Sequence, residues 1–264
     1  MTVLHSPNQN QLLAALPASE FARLSSYLEL VPMPLGESYY ESNGKLQHVY
    51  FPTTSIVSLR YMMENGCTAE IAGVGNEGML GISVFMGDKA LPKQAIVRTV
   101  GYGYRMKARL LLEEFNRAGT FQQLLIRYTK SLIIQASQVV VCNRYHSVEQ
   151  KICRWFMHNY EYIAANDLSV TQEILSSVLG IRRNILTEAL RKLREAGLIN
   201  YYGGHITMLN IQNVEDHACE CFRMIESSVN RMPKQSDSNP MHENVIALSM
   251  ASSDGISRIS YRVL

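Results

Sequence analysis

The chain has 264 residues, more than a typical single domain, so two domains are expected. Hydrophobic residues make up 47% of it, enough for packed cores, and no apolar run reaches membrane-spanning length. A net charge of +2 neither requires nor excludes nucleic acid, and five scattered cysteines (Cys67, Cys142, Cys153, Cys219, Cys221) argue against a secreted disulfide framework and for a reducing cytoplasm. Residues 1–11 have neither a basic start nor an apolar stretch, so no secretory leader is expected.

In chain order, residues 10–28 carry a helical pattern, with Leu12, Leu13, Leu16, Phe21 and Leu24 on one side. From about 30 to 107, short runs are separated by turn signals such as Pro34-Leu35-Gly36, Asn43-Gly44, Asn65-Gly66 and Gly87-Asp88. Segments 48–51, 55–59 and 95–100 read as strands, and strands this short and evenly spaced suggest a sandwich or barrel. A short helix over 108–117 stops before Gly119. A longer helix over 120–143 repeats Phe121, Leu125, Tyr128, Leu132, Gln135, Val139 and Cys142 at alternating spacings of four and three residues. Such a narrow stripe suits pairing with a second copy. Leu124, Ile133, Ala136 and Val140 are then left to pack on the chain's own barrel; one broad core face is the competing reading. Residues 146–163 form another amphipathic helix with Val148, Ile152, Trp155, Phe156 and Tyr160 inward, and His146 and His158 are read as structural or solvent-facing.

Residues 171–193 carry most of the functional information. Thr171 can cap a short helix by accepting from its free N–H groups, and Glu173 suits the positive helix end. Gly180 permits a sharp turn. Leu175, Leu179, Leu186, Leu190 and Leu193 recur at helical spacing and would bury one seam. Between Arg182 and Arg194, five basic residues (Arg182, Arg183, Arg191, Lys192, Arg194) face only Glu188, a local charge of +4. With Asn184 and Thr187, this helix can address base edges and phosphates in a major groove. Gly203-Gly204 can close a two-residue hairpin. That hairpin would be a wing bringing Tyr202 or His205 near a phosphate, although Tyr201 and Tyr202 could equally close the small domain's core. Residues 214–232 read as a final helix, and the segment after Pro233 as a flexible tail. On a helix, the side chains of Cys219 and Cys221 would point apart, and no second pair or His cluster completes a metal site in the sequence.

The ordering of a barrel, a long connecting helix and a winged helix-turn-helix resembles the Crp/Fnr family of bacterial transcription regulators. Besides 171–193, the resemblance rests on Tyr50-Phe51-Pro52, on Val74-Gly75-Asn76-Glu77-Gly78-Met79-Leu80-Gly81 and on His146-Ser147-Val148-Glu149-Gln150-Lys151. It covers roughly residues 10–215. It implies an α+β chain divided into a sensory β-roll with an N-terminal helix (1–118), a dimerisation helix (119–143), a DNA-binding winged helix (144–215) and a C-terminal helix with a tail (216–264). It further implies a homodimer on a two-fold symmetric operator in double-stranded DNA, with RNA polymerase as a further partner and no membrane. Arg183, Asn184 and Glu188 occupy places where family members commonly carry base-reading Arg, Glu and Arg. Only Arg183 agrees, so the operator is expected to differ from the family's commonest consensus. Thr171, Gln172, Arg182, Thr187, Arg191, Lys192 and His205 complete the expected DNA contacts, Gln172 and Arg182 on phosphates. Phe121, Leu125, Tyr128, Leu132, Gln135 and Val139 are the expected dimer contacts.

In relatives that bind cyclic AMP, a Gly-Glu pair holds the ribose and an Arg-Ser pair the cyclic phosphate. Here Met79 stands at the Glu position and Lys93-Gln94 at the Arg-Ser position. Met79 is a poor acceptor and Lys93 lacks the planar fork that clamps two oxygens, so cyclic-nucleotide control is not expected. No cysteine precedes Cys67 to hold an iron–sulfur cluster, and only His48 and Cys67 stand out as haem ligands in the β-roll. Neither a cofactor nor a metal is therefore expected. The absence of a P-loop, a dinucleotide fingerprint and a G-x-S-x-G motif counts against an enzyme. The competing non-enzymatic reading is a sensor whose winged helix meets a protein rather than DNA.

Overall fold

The computed structural model describes residues 5–39, 46–64, 68–87, 94–160, 170–202 and 205–224. Asn43-Gly44, Asn65-Gly66, Cys67, Lys93, Gly203-Gly204 and the tail after Pro233 lie outside them. After α1 (Gln11–Ala14) and α2 (Ala18–Ser25), six strands follow: β1 (Glu29–Met33), β2 (His48–Pro52), β3 (Ile56–Met62), β4 (Thr68–Val74), β5 (Gln94–Thr99) and β6 (Gly101–Lys107). They pair antiparallel as two sheets, β1-β6-β2 and β4-β3-β5. Met33, Val49, Phe51, Val57, Val97 and Met106 meet Leu12, Leu13 and Leu24 in one core. Asn10 ties the first helix to this roll. Its carbonyl oxygen accepts from the N–H groups of Leu12 and Leu13, and its amide donates to the carbonyls of Pro52 (2.9 Å) and Gly78 (2.8 Å). All four bonds are buried, where leaving a polar group unpaired is costly.

Beyond the short helices α3 (Ser83–Met86) and α4 (Ala108–Phe115) runs α5 (Thr120–Tyr145), a helix of 26 residues. The Glu20 carboxylate from α2 caps it, accepting from Thr120 N–H (3.0 Å) and Phe121 N–H (2.9 Å), and its charge suits the helix's positive end. Leu124 packs into the roll as expected, but so does most of the stripe assigned to a second copy. Phe121, Leu125, Tyr128, Leu132 and Gln135 are buried within the protomer and cannot meet a second copy as they stand. Val139 is half-buried. Ile126, Ile133 and Val140, seven residues apart, remain 54%, 60% and 70% exposed. The helix is apolar on two sides, and the roll packs on the side carrying the larger aromatic groups.

Tyr128 is central to that packing: its hydroxyl donates to the Met79 carbonyl (3.0 Å) across the loop after β4. A Cβ on Gly78 would fall inside van der Waals contact of the Tyr128 ring. Gly78→Ala should therefore lower the unfolding free energy by about 1–3 kcal/mol through overpacking, read as a fall in the urea midpoint. A Gly78→Ala midpoint equal to that of the unchanged protein would refute this.

The C-terminal part contains α6 (Val148–Tyr160), α7 (Gln172–Leu179), α8 (Arg183–Glu195), the hairpin β7 (Ile199–Tyr202) with β8 (His205–Met208), and α9 (Ile211–His217). Its separate core joins Ile152, Phe156, Leu175, Leu186, Leu190 and Ile206. The helix expected over 214–232 is interrupted among the described residues: α9 ends at His217, Ala218 is extended, and helix starts again over 221–224. Cys219 and Cys221 therefore stand on either side of the turn at Glu220 rather than along one helix. Both thiols turn toward the end of α5, instead of pointing apart as helical spacing suggested.

Candidate nucleic-acid interface

The α7–turn–α8 unit is built by local rules. Thr171 Oγ1 accepts from Ile174 N–H (3.3 Å) at the start of α7. Gly180 ends the helix at φ 63°, a left-handed conformation that favours glycine. Ser176 Oγ then donates to the Ile181 carbonyl (2.6 Å), fixing the exit of the turn. Leu175, Leu186, Leu190 and Leu193 are buried, and Val178, rather than Leu179, completes the α7 side of the seam, with Leu179 half-buried. The opposite side of α8 exposes Arg183, Asn184, Thr187, Glu188, Arg191 and Lys192, and Arg182 is exposed immediately before it. The Thr187 hydroxyl donates back to the Arg183 carbonyl (2.9 Å). Gln172 is half-buried at the start of α7.

Acids on α8 and on the neighbouring helices α6 and α7 pair with this basic stripe. Arg183 pairs with Glu173 of α7. Arg191 pairs with Glu188 (2.7 Å) and Glu195 (2.5 Å), and Lys192 with Glu149 of α6 (3.1 Å). The bare +4 stripe is thus largely neutralised; among the described residues, Arg182 and Arg194 make no ion pair. These pairs are solvent-exposed and contribute little to stability, so a polyanion can displace the acids. In the hairpin, Tyr202 opposes His205 in register and is 85% exposed, whereas Tyr201 packs against the core. Tyr201 therefore takes the core position, and Tyr202 is left at the surface.

At the expected effector position, Met79 is 1% exposed and belongs to the roll's core. Gln94 of β5 is half-buried beside Met62, with its amide 3.7 Å from the thioether sulfur. Glu77 is buried and accepts from Gly75 N–H (2.9 Å) in its own loop.

Sequence reasoning missed a polar contact between the roll and the winged-helix part. Arg98 of β5 donates to both oxygens of Glu70 on β4 (3.0 and 2.8 Å) and to the side-chain oxygen of Asn159 on α6. Its guanidinium also lies 5.0 Å from the centre of the Trp155 ring. Ser58 donates to Glu70, and Arg60 to Ser58 (3.0 Å). Thr68 on β4 bonds Ser177 of α7 (2.7 Å). No periodicity marks these residues, because each sits singly among partners distant in sequence.

His158 of α6 meets Arg98 and Glu70 around Gly73. Burial first, then the charges of Arg98 and Arg154, push its pKa from 6.5 down to about 3. Once freed by unfolding, the imidazole takes a proton near pH 6.5, so the native contact contributes fully above that pH and is lost as pH falls toward 3. The unfolding free energy should drop between pH 7.5 and 5 by at most about 1.4 kcal/mol per pH unit from this group, read by urea denaturation. His158→Gln should remove that part of the slope; an unaltered slope would count against it.

Among the described residues, a roll of six strands is followed by one long helix and a winged helix-turn-helix. The fold is of the Crp/Fnr type, and residues 150–216 match the Crp-like helix-turn-helix domain. A protein from Eubacterium rectale described as a Crp/Fnr-family regulator superposes with TM-score 0.65 at 14% identity, over 80% of this chain and 98% of its own. The c-di-GMP-responsive global regulator CLP of Xanthomonas campestris gives 0.62 at 14%, over 74% and 100%. FixK2 from Bradyrhizobium japonicum gives 0.59 at 14%, over 73% and 98%. No curated protein matches the sequence. Among the described residues, no helix is long and apolar enough to cross a membrane.

Proposed function

We propose that the protein is a homodimeric, sequence-specific DNA-binding transcription regulator that does not respond to cyclic AMP. The observation that carries this reading is the exposed polar face of α8, set on a capped helix-turn-helix with Tyr202 raised on the adjoining hairpin. Each protomer places α8 in a major groove, with half-sites about 34 Å apart. Arg183 reads guanine through O6 and N7, Asn184 favours adenine, and Glu188 orients Arg191 through the ion pair between them. Arg182 and Gln172 hold phosphates. Dimer contacts run along Ile126, Ile133 and Val140, the apolar stripe that α5 leaves uncovered. The buried Met79 at the effector position supports a ligand other than a cyclic nucleotide, or none.

Selection from a random duplex pool, with and without cyclic AMP, tests the proposal. A palindromic consensus unaffected by the nucleotide supports it. The rival reading, a winged helix that meets a protein, predicts no consensus. It also predicts affinity for DNA too weak to give the steep salt dependence that phosphate contacts impose.

A further inference from the structure

Four potential metal ligands converge where α5 ends. Cys142 lies in the last turn of α5, His146 caps that helix, and Cys219 and Cys221 follow α9. Cys142 Sγ is 3.6 Å from Cys219 Sγ, and Cys221 Sγ is 3.5 Å from His146 Nδ1. All four ligand atoms fall within 4.8 Å of one another. A tetrahedral zinc ion with Zn–S near 2.3 Å and Zn–N near 2.0–2.1 Å requires S···S edges of about 3.8 Å and S···N edges of about 3.6 Å. The two short edges already have close to these lengths. A polynuclear iron–sulfur cluster spreads its cysteines over several metal atoms and needs a wider cage.

The surroundings fit a metal as closely as the ligands do. The three thiols are buried together, so they are not reactive surface groups. With Nδ1 facing Cys221, the other ring nitrogen of His146 stands 3.2 Å from Glu220 Oε2. A carboxylate behind a ligating histidine fixes the ring and its tautomer. Gln138 donates to Cys221 Sγ (2.9 Å), as suits a thiolate. Arg154 of α6 is buried, and its Nε has no partner among the described residues. A Cys3His zinc site carries a net charge of −1, which this guanidinium offsets.

We propose that Cys142, His146, Cys219 and Cys221 bind one zinc ion or a similar thiophilic divalent cation. Binding replaces the remaining thiol protons, which pass to solvent. The ion joins residues 77 apart in sequence and fastens the last turn of α5 to the segment that follows α9. It thereby sets the angle between the long helix and the winged helix. Metal binding does not depend on the DNA reading, since it is measured by metal content.

The test titrates the full chain, purified reduced and metal-free, with Co2+ and then Zn2+. The expected result is one Co2+ per chain, with thiolate charge-transfer absorption and the intense visible band of a tetrahedral site, both abolished by one equivalent of Zn2+. Cys142→Ser/Cys219→Ser should lose the signal at least tenfold, while Cys153→Ala, which removes a thiol from the separate winged-helix core, should retain it. Weak octahedral Co2+ absorption in the unchanged protein would overturn the proposal, as would a Cys142–Cys219 disulfide persisting under reductant. The titration of the unchanged protein is decisive whether or not the variants fold.

Discussion

Arg98→Ala should lower the unfolding free energy by about 3–5 kcal/mol, the usual cost of stranding one member of a buried ion pair. The Arg98 and Glu70 side chains are only 7% and 10% exposed. Removing the guanidinium leaves the Glu70 carboxylate leaning on the Ser58 hydroxyl and strips the Asn159 oxygen of the Arg98 donor. It also deletes the cation stacked near Trp155. Arg98→Ala/Glu70→Ala should recover most of the loss, because neither charge then remains buried alone. Equilibrium urea unfolding of the two single variants and the double variant measures the coupling. A loss below about 1 kcal/mol for Arg98→Ala would mean that water reaches the pair freely. Arg98 lies on β5, four residues along from Gln94 at the expected effector position, and reaches α6 of the winged-helix part. This contact is therefore a short physical link between the roll and α6.

Arg183→Ala should act on binding instead: specific affinity should fall roughly 5- to 150-fold, or about 1–3 kcal/mol, with discrimination relaxed at one base position. Arg183 sits in the first turn of α8, where a recognition helix meets base edges. In the free protein it is paired with Glu173, a contact it must exchange for the base. Glu173→Ala should accordingly strengthen binding modestly, by freeing Arg183 and removing a charge that repels phosphate. Gln172→Ala should weaken all duplexes alike, because a phosphate contact carries no sequence information. Competition between the selected operator and random DNA at fixed salt distinguishes the two. If Arg183→Ala lowers affinity for random DNA as much as for the operator, its base-reading role is excluded.

The helix-turn-helix is legible in the sequence because its determinants are local: the Thr171 cap, the left-handed Gly180 and leucines at helical spacing each act within a few residues. Strand segments in the roll are recognisable for the same reason, from short runs between turns. Periodicity leaves the buried side of α5 open because the helix is apolar on two sides, and spacing alone cannot say which side the roll covers. Packing around Tyr128 and Gly78 settles that choice. Charge is misjudged similarly, since Glu149 and Glu173 reach the basic helix from α6 and α7.

Residue order alone was enough to give the identity and succession of most elements, the capped reading unit and the replacement of the expected ribose-binding glutamate by Met79. It took the folded chain to establish which helix face is buried, how Arg98 joins the roll to α6, and that Cys142, His146, Cys219 and Cys221 share one site. The difference is one of range: helix caps and periodicity act over a turn or two, whereas burial and coordination are set by groups that meet only after the chain has closed on itself.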